Sequence, residues 1–199
     1  MSFSLFEKIY DAGCLKFGEF KLKSGIISPV YVDFRVLISK PELLLEVGNA
    51  LSEKAKKIGC DRVAGIPYAG LPIGVACSIA GGIPLIYPRR EAKDYGTSKQ
   101  IEGEYNAGEK VLVIDDIITD GASKIEAITP LQNAGLVVED ILVIVDRQQG
   151  GSEILKSKGY NLHSLATLFE ILELLVDKGR VCEEMRSNVV KFISENQFK

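Results

Sequence analysis

The sequence predicts an α/β protein with a mainly parallel sheet covered by helices on both faces, preceded by a small N-terminal unit. Three observations carry this. Short apolar runs alternate with segments of helical periodicity from Val63 to Leu165. The clearest run, Val111–Ile114, is uninterrupted by polar residues, as a strand buried on both faces requires. Polar clusters follow Ile66, Ile114 and Val145, at the strand ends where such sheets bind ligands.

Each element has its own signal. A helix is expected near Ser2–Ala12, then extended segments around Phe17–Leu22 and Val30–Asp33, within a unit of roughly 40 residues. Pro41 opens an amphipathic helix with Leu43, Leu44, Val47, Leu51 and Ala55 on one side, and Gly59 stops it. Strand Val63–Ile66, helix Ala69–Ala80 and strand Pro84–Tyr87 follow. After a polar stretch to Glu109 come strand Val111–Ile114, a helix through Ile125–Asn133 and strand Ile141–Val145. A helix near Ser152–Lys158, a short strand around Leu162–Leu165 and one or two C-terminal helices complete the expectation.

The composition narrows the function. A chain of 199 residues suits one domain, and 46% apolar content fills a core. The formal net charge of −3 argues against general nucleic-acid binding, so any basic site is local. Cys14, Cys60, Cys77 and Cys182 lack metal or disulfide spacing and read as reduced thiols. The N-terminal stretch MSFSLFEKIYDAG has no signal-peptide pattern, and no apolar run is long enough to span a bilayer. A cytoplasmic protein is expected.

The densest chemistry lies in VLVIDDIITDGAS, Val111 to Ser123. A buried strand is expected to end at Asp115, followed by a tight turn and a helix start. Such a turn offers backbone N–H groups, hydroxyls and a helix N-terminus to an anion. Asp115 and Asp116 beside it would repel a bare phosphate, so the ligand must also carry hydroxyls or a metal ion. That describes a sugar phosphate. A second segment, Pro88 to Gly108, is a long polar loop carrying Arg89, Arg90, Lys93 and Lys99. Long loops of this kind are functional lids or solvated connections, and cations on one could close over departing phosphate charge. From residues alone the reading stops at a strand-end site for a sugar phosphate.

These stretches resemble the type I phosphoribosyltransferases, and RREAKDYG resembles the loop of the orotate phosphoribosyltransferase family. That resemblance implies the type I phosphoribosyltransferase fold and binding of 5-phosphoribosyl 1-diphosphate (PRPP). Asp115 and Asp116 would face the ribose hydroxyls. Ile117 and Ile118 would lead into a cradle of Thr119, Asp120, Gly121, Ala122 and Ser123 around the 5-phosphate. Arg89, Arg90 and Lys93 take the family's basic, catalytic positions, and Tyr95 stands where the family often has His. LKSGIISPVYVDFR, Leu22 to Arg35, resembles the family's hood over the base, so roughly residues 1–40 contribute to it. Lys23 would meet PRPP, while Tyr31 and Val32, with Thr119, would lie near orotate.

Arg147, in Val145-Asp146-Arg147-Gln148, matches the family's orotate-carboxylate position, where a planar guanidinium suits bidentate binding. Gly65-Ile66-Pro67-Tyr68-Ala69-Gly70 resembles the diphosphate turn, with Tyr68 and backbone groups as contacts and Ala69 where Lys is frequent. Asp120 is a third departure, and its carboxylate is expected to point outward, away from the phosphate.

The implied reaction joins orotate to PRPP, giving orotidine 5'-phosphate and diphosphate in pyrimidine synthesis. Mg2+ would arrive on PRPP, with no direct protein ligand and Asp115 and Asp116 acting through water. The resemblance also implies a homodimer in which loop 89–106 completes the partner's site, with neither nucleic acid nor membrane as partner. The Tyr95 and Ala69 departures look like the branch fused to orotidylate decarboxylase, yet with Lys199 as its last residue the chain reads as a free-standing transferase. A transferase for another base and a PRPP-sensing regulator are the alternative readings. His163, Gly81-Gly82 and the apolar helix LFEILELLVDKG are given structural roles.

Overall fold

The computed structural model describes residues 4–21, 25–90 and 100–198. Six strands form the main sheet in the order β5-β4-β3-β6-β7-β8. These are β3 (Arg62–Gly65), β4 (Leu85–Pro88), β5 (Ile101–Glu102), β6 (Lys110–Ile118), β7 (Val137–Asp146) and β8 (Asn161–Thr167). All neighbours run parallel except β4 and β5, which are antiparallel. A separate antiparallel pair, β1 (Leu15–Lys21) and β2 (Ile27–Val32), makes the N-terminal unit with helix α1 (Ser4–Asp11).

Burial on both faces explains the unbroken apolar strands. In β6, Leu112 and Ile114 enter one core with Val47, Leu51 and Ala55 of α2 (Pro41–Ile58). Val111 and Val113 enter the opposite core with Ile128 and Leu131 of α4 (Ala122–Asn133). Each fully buried aliphatic side chain is worth about 1.5–3 kcal/mol of transfer free energy. The N-terminal unit joins the first core through Leu5, Ile9, Leu15 and Val30, so it is seated on the sheet rather than tethered to it.

The helices begin and end where local chemistry predicts. Pro41 opens α2 and Gly59, at φ 84°, ends it. α2 packs closely on α3 (Gly70–Gly81): a Cβ at Gly48 would lie 2.7 Å from the Ala76 carbonyl. Thr167 and Glu170 form a reciprocal capping box at the start of α6 (Leu168–Asp177). α5 (Gly151–Ser157) and α7 (Glu183–Glu195) complete the helices.

Several expectations are corrected. The strand does not end at Asp115. It continues through both carboxylates to Ile118 because β7 is long enough to keep pairing, with Ile117 opposite Val145 and Ile118 opposite Asp146. The Pro88–Gly108 stretch is not all loop, since Ile101–Glu102 pairs with Tyr87 and Pro88. A 3-10 helix at Phe34–Ser39, capped by the Asp33 side chain, follows β2 where no element was anticipated. The apolar Phe34 and Leu37 bury themselves there.

Candidate active site

The three polar clusters converge at the carboxyl ends of adjacent strands. β3 and β6 are neighbours, so the turn after β3 lies beside the turn after β6. β4 lies on the other side of β3 and delivers Arg89 and Arg90. A cleft of about 410 Å³ is lined by Ile66, Pro67, Arg89, Arg90 and Ser123. It therefore joins the expected diphosphate turn, the base of the basic loop and the expected phosphate cradle.

The cradle is built on glycines. Gly121 has φ 82°, a left-handed conformation that lets the chain reverse into α4. The N–H groups of Asp120, Gly121 and Ser123 have no backbone acceptor among the described residues. This is the arrangement an anion needs at a helix start. Behind it, a Cβ on Gly151 would lie 2.7 Å from Ile118 Cγ1 and from the Thr119 carbonyl, so α5 presses directly on the cradle. Asp120 makes a local cap at the start of α4. Its Oδ1 accepts the Ala122 N–H at 3.0 Å, taking one donor that the anion would otherwise use. Short acidic side chains do this because the first helical N–H groups are otherwise unpaired.

Asp115 is held more tightly than a pair of adjacent carboxylates suggests. Its Oδ2 lies 2.6 Å from Lys124 Nζ, and the two side chains are 8% and 5% exposed. Oδ1 accepts the Asp116 N–H at 2.9 Å. Lys124 also donates to the Ile117 carbonyl and to Ser123 Oγ at 3.3 Å. Gly70 completes the enclosure, since a Cβ there would lie 2.7 Å from Asp115 Oδ1. Asp116 has no such cation to itself. Burial first, then the neighbouring Asp115 charge, pushes its carboxyl up to about 7.

The sequence reading missed Lys124. A usable signal was present, because a cation in the first turn of a helix opposes the helix dipole and calls for an acidic partner.

The basic positions are less uniform. Arg90 stacks over the Tyr68 ring with its guanidinium carbon 5.4 Å from the centroid, bridging the basic loop to the expected diphosphate turn. Tyr68 itself is 62% exposed. Ala69 caps α3 in ordinary helical geometry. The Arg89 guanidinium is bound to Glu102 across the β4–β5 pair, and the Arg89 backbone N–H donates to the Gln100 carbonyl at 2.8 Å. Arg89 is thus anchored to the loop's base. Lys23, Lys93 and Tyr95 lie outside the described residues.

On the base side, Tyr31 packs its ring 5.5 Å from Phe20 and accepts from Arg35, while Val32 is half-buried. Arg147 follows β7, and its N–H donates to the Ile118 carbonyl at 3.2 Å, which places it beside Thr119. Its Nε is buried with no hydrogen-bond partner among the described residues. Burial pulls the guanidinium below its ordinary range. A desolvated cation of this kind is costly until an anion arrives.

The buried thiols and the histidine have other roles. Burial pushes the Cys14 thiol up to about 11 and Cys77 to about 12, which keeps both protonated at neutral pH. His163 pairs with Asp140 at 2.8 Å between β7 and β8, away from the strand-end clusters. Among the described residues no group of three or more acidic, His or Cys side chains could hold a metal ion. No helix among them is long and apolar enough to cross a membrane.

The mostly parallel sheet, with its glycine turn and carboxylates at one strand end, fits the fold of the type I phosphoribosyltransferases. Comparison with known proteins narrows it. No family model matches the chain. It is 36% identical over 192 residues to an orotate phosphoribosyltransferase of Caenorhabditis elegans, covering 96% of this chain and 85% of that protein. The crystal structure of orotate phosphoribosyltransferase from Aeropyrum pernix superposes with a TM-score of 0.73 at 33% identity, covering 86% of this chain and 98% of that one. The chain belongs to the orotate phosphoribosyltransferase family. It is also 42% identical over 197 residues to the uridine 5'-monophosphate synthase of Bos taurus, covering 98% of this chain but 41% of that protein. It spans about two fifths of the length of that relative.

Proposed function

We propose that this chain transfers the phosphoribosyl group of PRPP to orotate, forming orotidine 5'-phosphate and diphosphate in pyrimidine synthesis. The observation that carries the reading is the convergence of three anion-directed groups at neighbouring strand ends: the cradle after β6, Arg90 on Tyr68, and Arg147, whose buried Nε has no hydrogen-bond partner among the described residues. A phosphate, a diphosphate and a carboxylate on one reaction complex match them. In this reading residues 1–199 form one transferase domain with residues 1–40 as the hood.

The cradle N–H groups hold the 5-phosphate, and Asp115 and Asp116 accept from the ribose hydroxyls. The Lys124 ammonium, 2.6 Å away, holds the Asp115 carboxylate in place. Bond cleavage at C1 leaves charge on the diphosphate, where Arg90 and the loop cation Lys93 stabilise it. Arg147 takes the orotate carboxylate and thereby sets N1 against C1. Asp115 and Asp116 are the residues that would meet the water shell of Mg2+ carried in by PRPP, and the ion would supply neutralisation of diphosphate charge. The exposed apolar Val75 and Ile79 of α3 offer a surface for a second copy of the chain. Such a homodimer, with loop 89–106 shared between subunits, is part of the proposal, as is a cytoplasmic setting.

The test is loss of orotate absorbance with PRPP and Mg2+, run beside adenine, guanine, xanthine and uracil. Orotate-only turnover is expected. Turnover of another base would discard the role of Arg147. PRPP binding without any turnover would favour a PRPP-sensing protein.

A further inference from the structure

The turn that carries Arg147 is held from behind by the segment following α7. Phe198 donates its N–H to the Gln149 carbonyl at 2.9 Å. Gln149 Nε2 donates to the Asn196 carbonyl at 3.0 Å, and Gln197 Nε2 donates to the Gln148 carbonyl at 2.9 Å. These bonds cross nearly 50 residues of sequence. The fit is close: a Cβ on Gly150 would lie 2.2 Å from the Phe198 carbonyl oxygen, and Gly150 itself has φ 99°.

The held turn is otherwise unfavourable. Gln148 adopts φ 57°, the left-handed region that a non-glycine residue enters only when its surroundings enforce it. Its N–H is fixed by Asp146 Oδ1 at 2.7 Å, and its Oε1 accepts the Phe169 N–H at 3.3 Å. Arg147 stands immediately before this pinned residue. No hydrogen bond or ion pair to its side chain occurs among the described residues, and Nε is buried. Its direction is therefore set by the backbone on either side.

We propose that Asn196–Phe198 is a strap that positions Arg147, so that the end of α7 governs affinity for the anionic base without touching it. This rests on Arg147 as the base contact. The strap residues are positioning residues. They hold the turn, and the turn aims the guanidinium.

The experiment compares orotate KM, kcat and directly measured PRPP affinity in Phe198→Pro, which removes the N–H donor, and in Gln197→Leu, which removes the amide. Each is made alone and with Arg147→Ala. Losing one or two hydrogen bonds is expected to raise orotate KM roughly three- to tenfold. PRPP affinity and kcat should stay within about twofold by the same reasoning. On the Arg147→Ala background the strap variants should add nothing. An unchanged orotate KM in both strap variants, where Arg147→Ala raises it, would overturn the strap. So would an equal added loss on the Arg147→Ala background. If Arg147→Ala alone leaves orotate KM unchanged, the base-contact reading fails and the strap proposal falls with it. Retained PRPP binding shows that each variant is folded, and Gln197→Leu carries the test if Phe198→Pro does not fold.

Discussion

Replacing Lys124 by methionine keeps an unbranched side chain of similar length and removes the ammonium that faces Asp115. The carboxylate left behind is 8% exposed, so solvent cannot replace the lost partner. Breaking a buried pair this way costs about 3–5 kcal/mol. An independent bound comes from protonation, because Asp115 can escape by taking a proton. Moving a carboxylate from its ordinary pKa near 3.9 to full protonation at pH 7.5 costs about 5 kcal/mol, but only about 1.5 kcal/mol at pH 5. The sign follows from linkage. An uncompensated buried carboxylate is disfavoured in its charged form, so the penalty is present where carboxylates are ionised and fades as pH falls. At about 2–4 °C per kcal/mol, Tm should drop by roughly 6–20 °C at neutral pH and clearly less at pH 5. Thermal unfolding of parent and variant at both pH values reads this directly. Asp115→Asn combined with Lys124→Met removes both charges of the pair and should recover much of the loss. A loss under about 1 kcal/mol at neutral pH, or an equal loss at pH 5, would refute the claim that these two charges support each other.

Other outcomes follow from the same geometry. Asp116, pushed up to about 7 by burial, binds its proton more tightly folded than unfolded, so it weakens the ligand-free protein as pH rises from about 4 through 7. Asp116→Asn should therefore be more stable than the parent at pH 8 by a few kcal/mol, with no gain at pH 4. A gain that does not depend on pH would contradict the cause given. Gly70→Ala puts a Cβ 2.7 Å from Asp115 Oδ1, and should weaken PRPP binding at least tenfold in titration calorimetry while costing about 1–3 kcal/mol of stability. Lys93→Ala should lower kcat by about two orders of magnitude with little change in orotate KM, and steady-state kinetics with unchanged turnover would end its role.

The fold was readable because its signals are local and repeated. Val111–Ile114 is apolar without interruption, Pro41 and Gly59 bracket α2, and the turns after β3 and β6 carry Gly70 and Gly121. The strand through Asp115 and Asp116 was cut short because charged residues seldom continue a buried strand. What keeps them there is Lys124, and a lysine in a helical stretch ordinarily reads as surface. Its pairing depends on how α4 folds back along β6, which is tertiary information. The strap was invisible for the same reason. Asn196, Gln197 and Phe198 have no pattern of their own, and their bonds to residues 148–150 exist only once α7 has docked. The Arg89–Glu102 contact likewise needs the β4–β5 pairing, which two residues of strand cannot announce.

In the proposed function the strand order separates two tasks. β3 and β6 lie side by side and would supply the turns for the phosphorylated sugar, whereas Arg147 comes from β7, one strand further out, and the N-terminal unit packs into the first core. Donor recognition and acceptor choice thus occupy different pieces of chain that share an edge at Ile118 and Arg147. Under that proposal, exchanging the segment 147–150 together with residues 196–198 is expected to change the choice of acceptor while leaving the sugar end intact. An evolving or engineered member of this fold has its interchangeable part there.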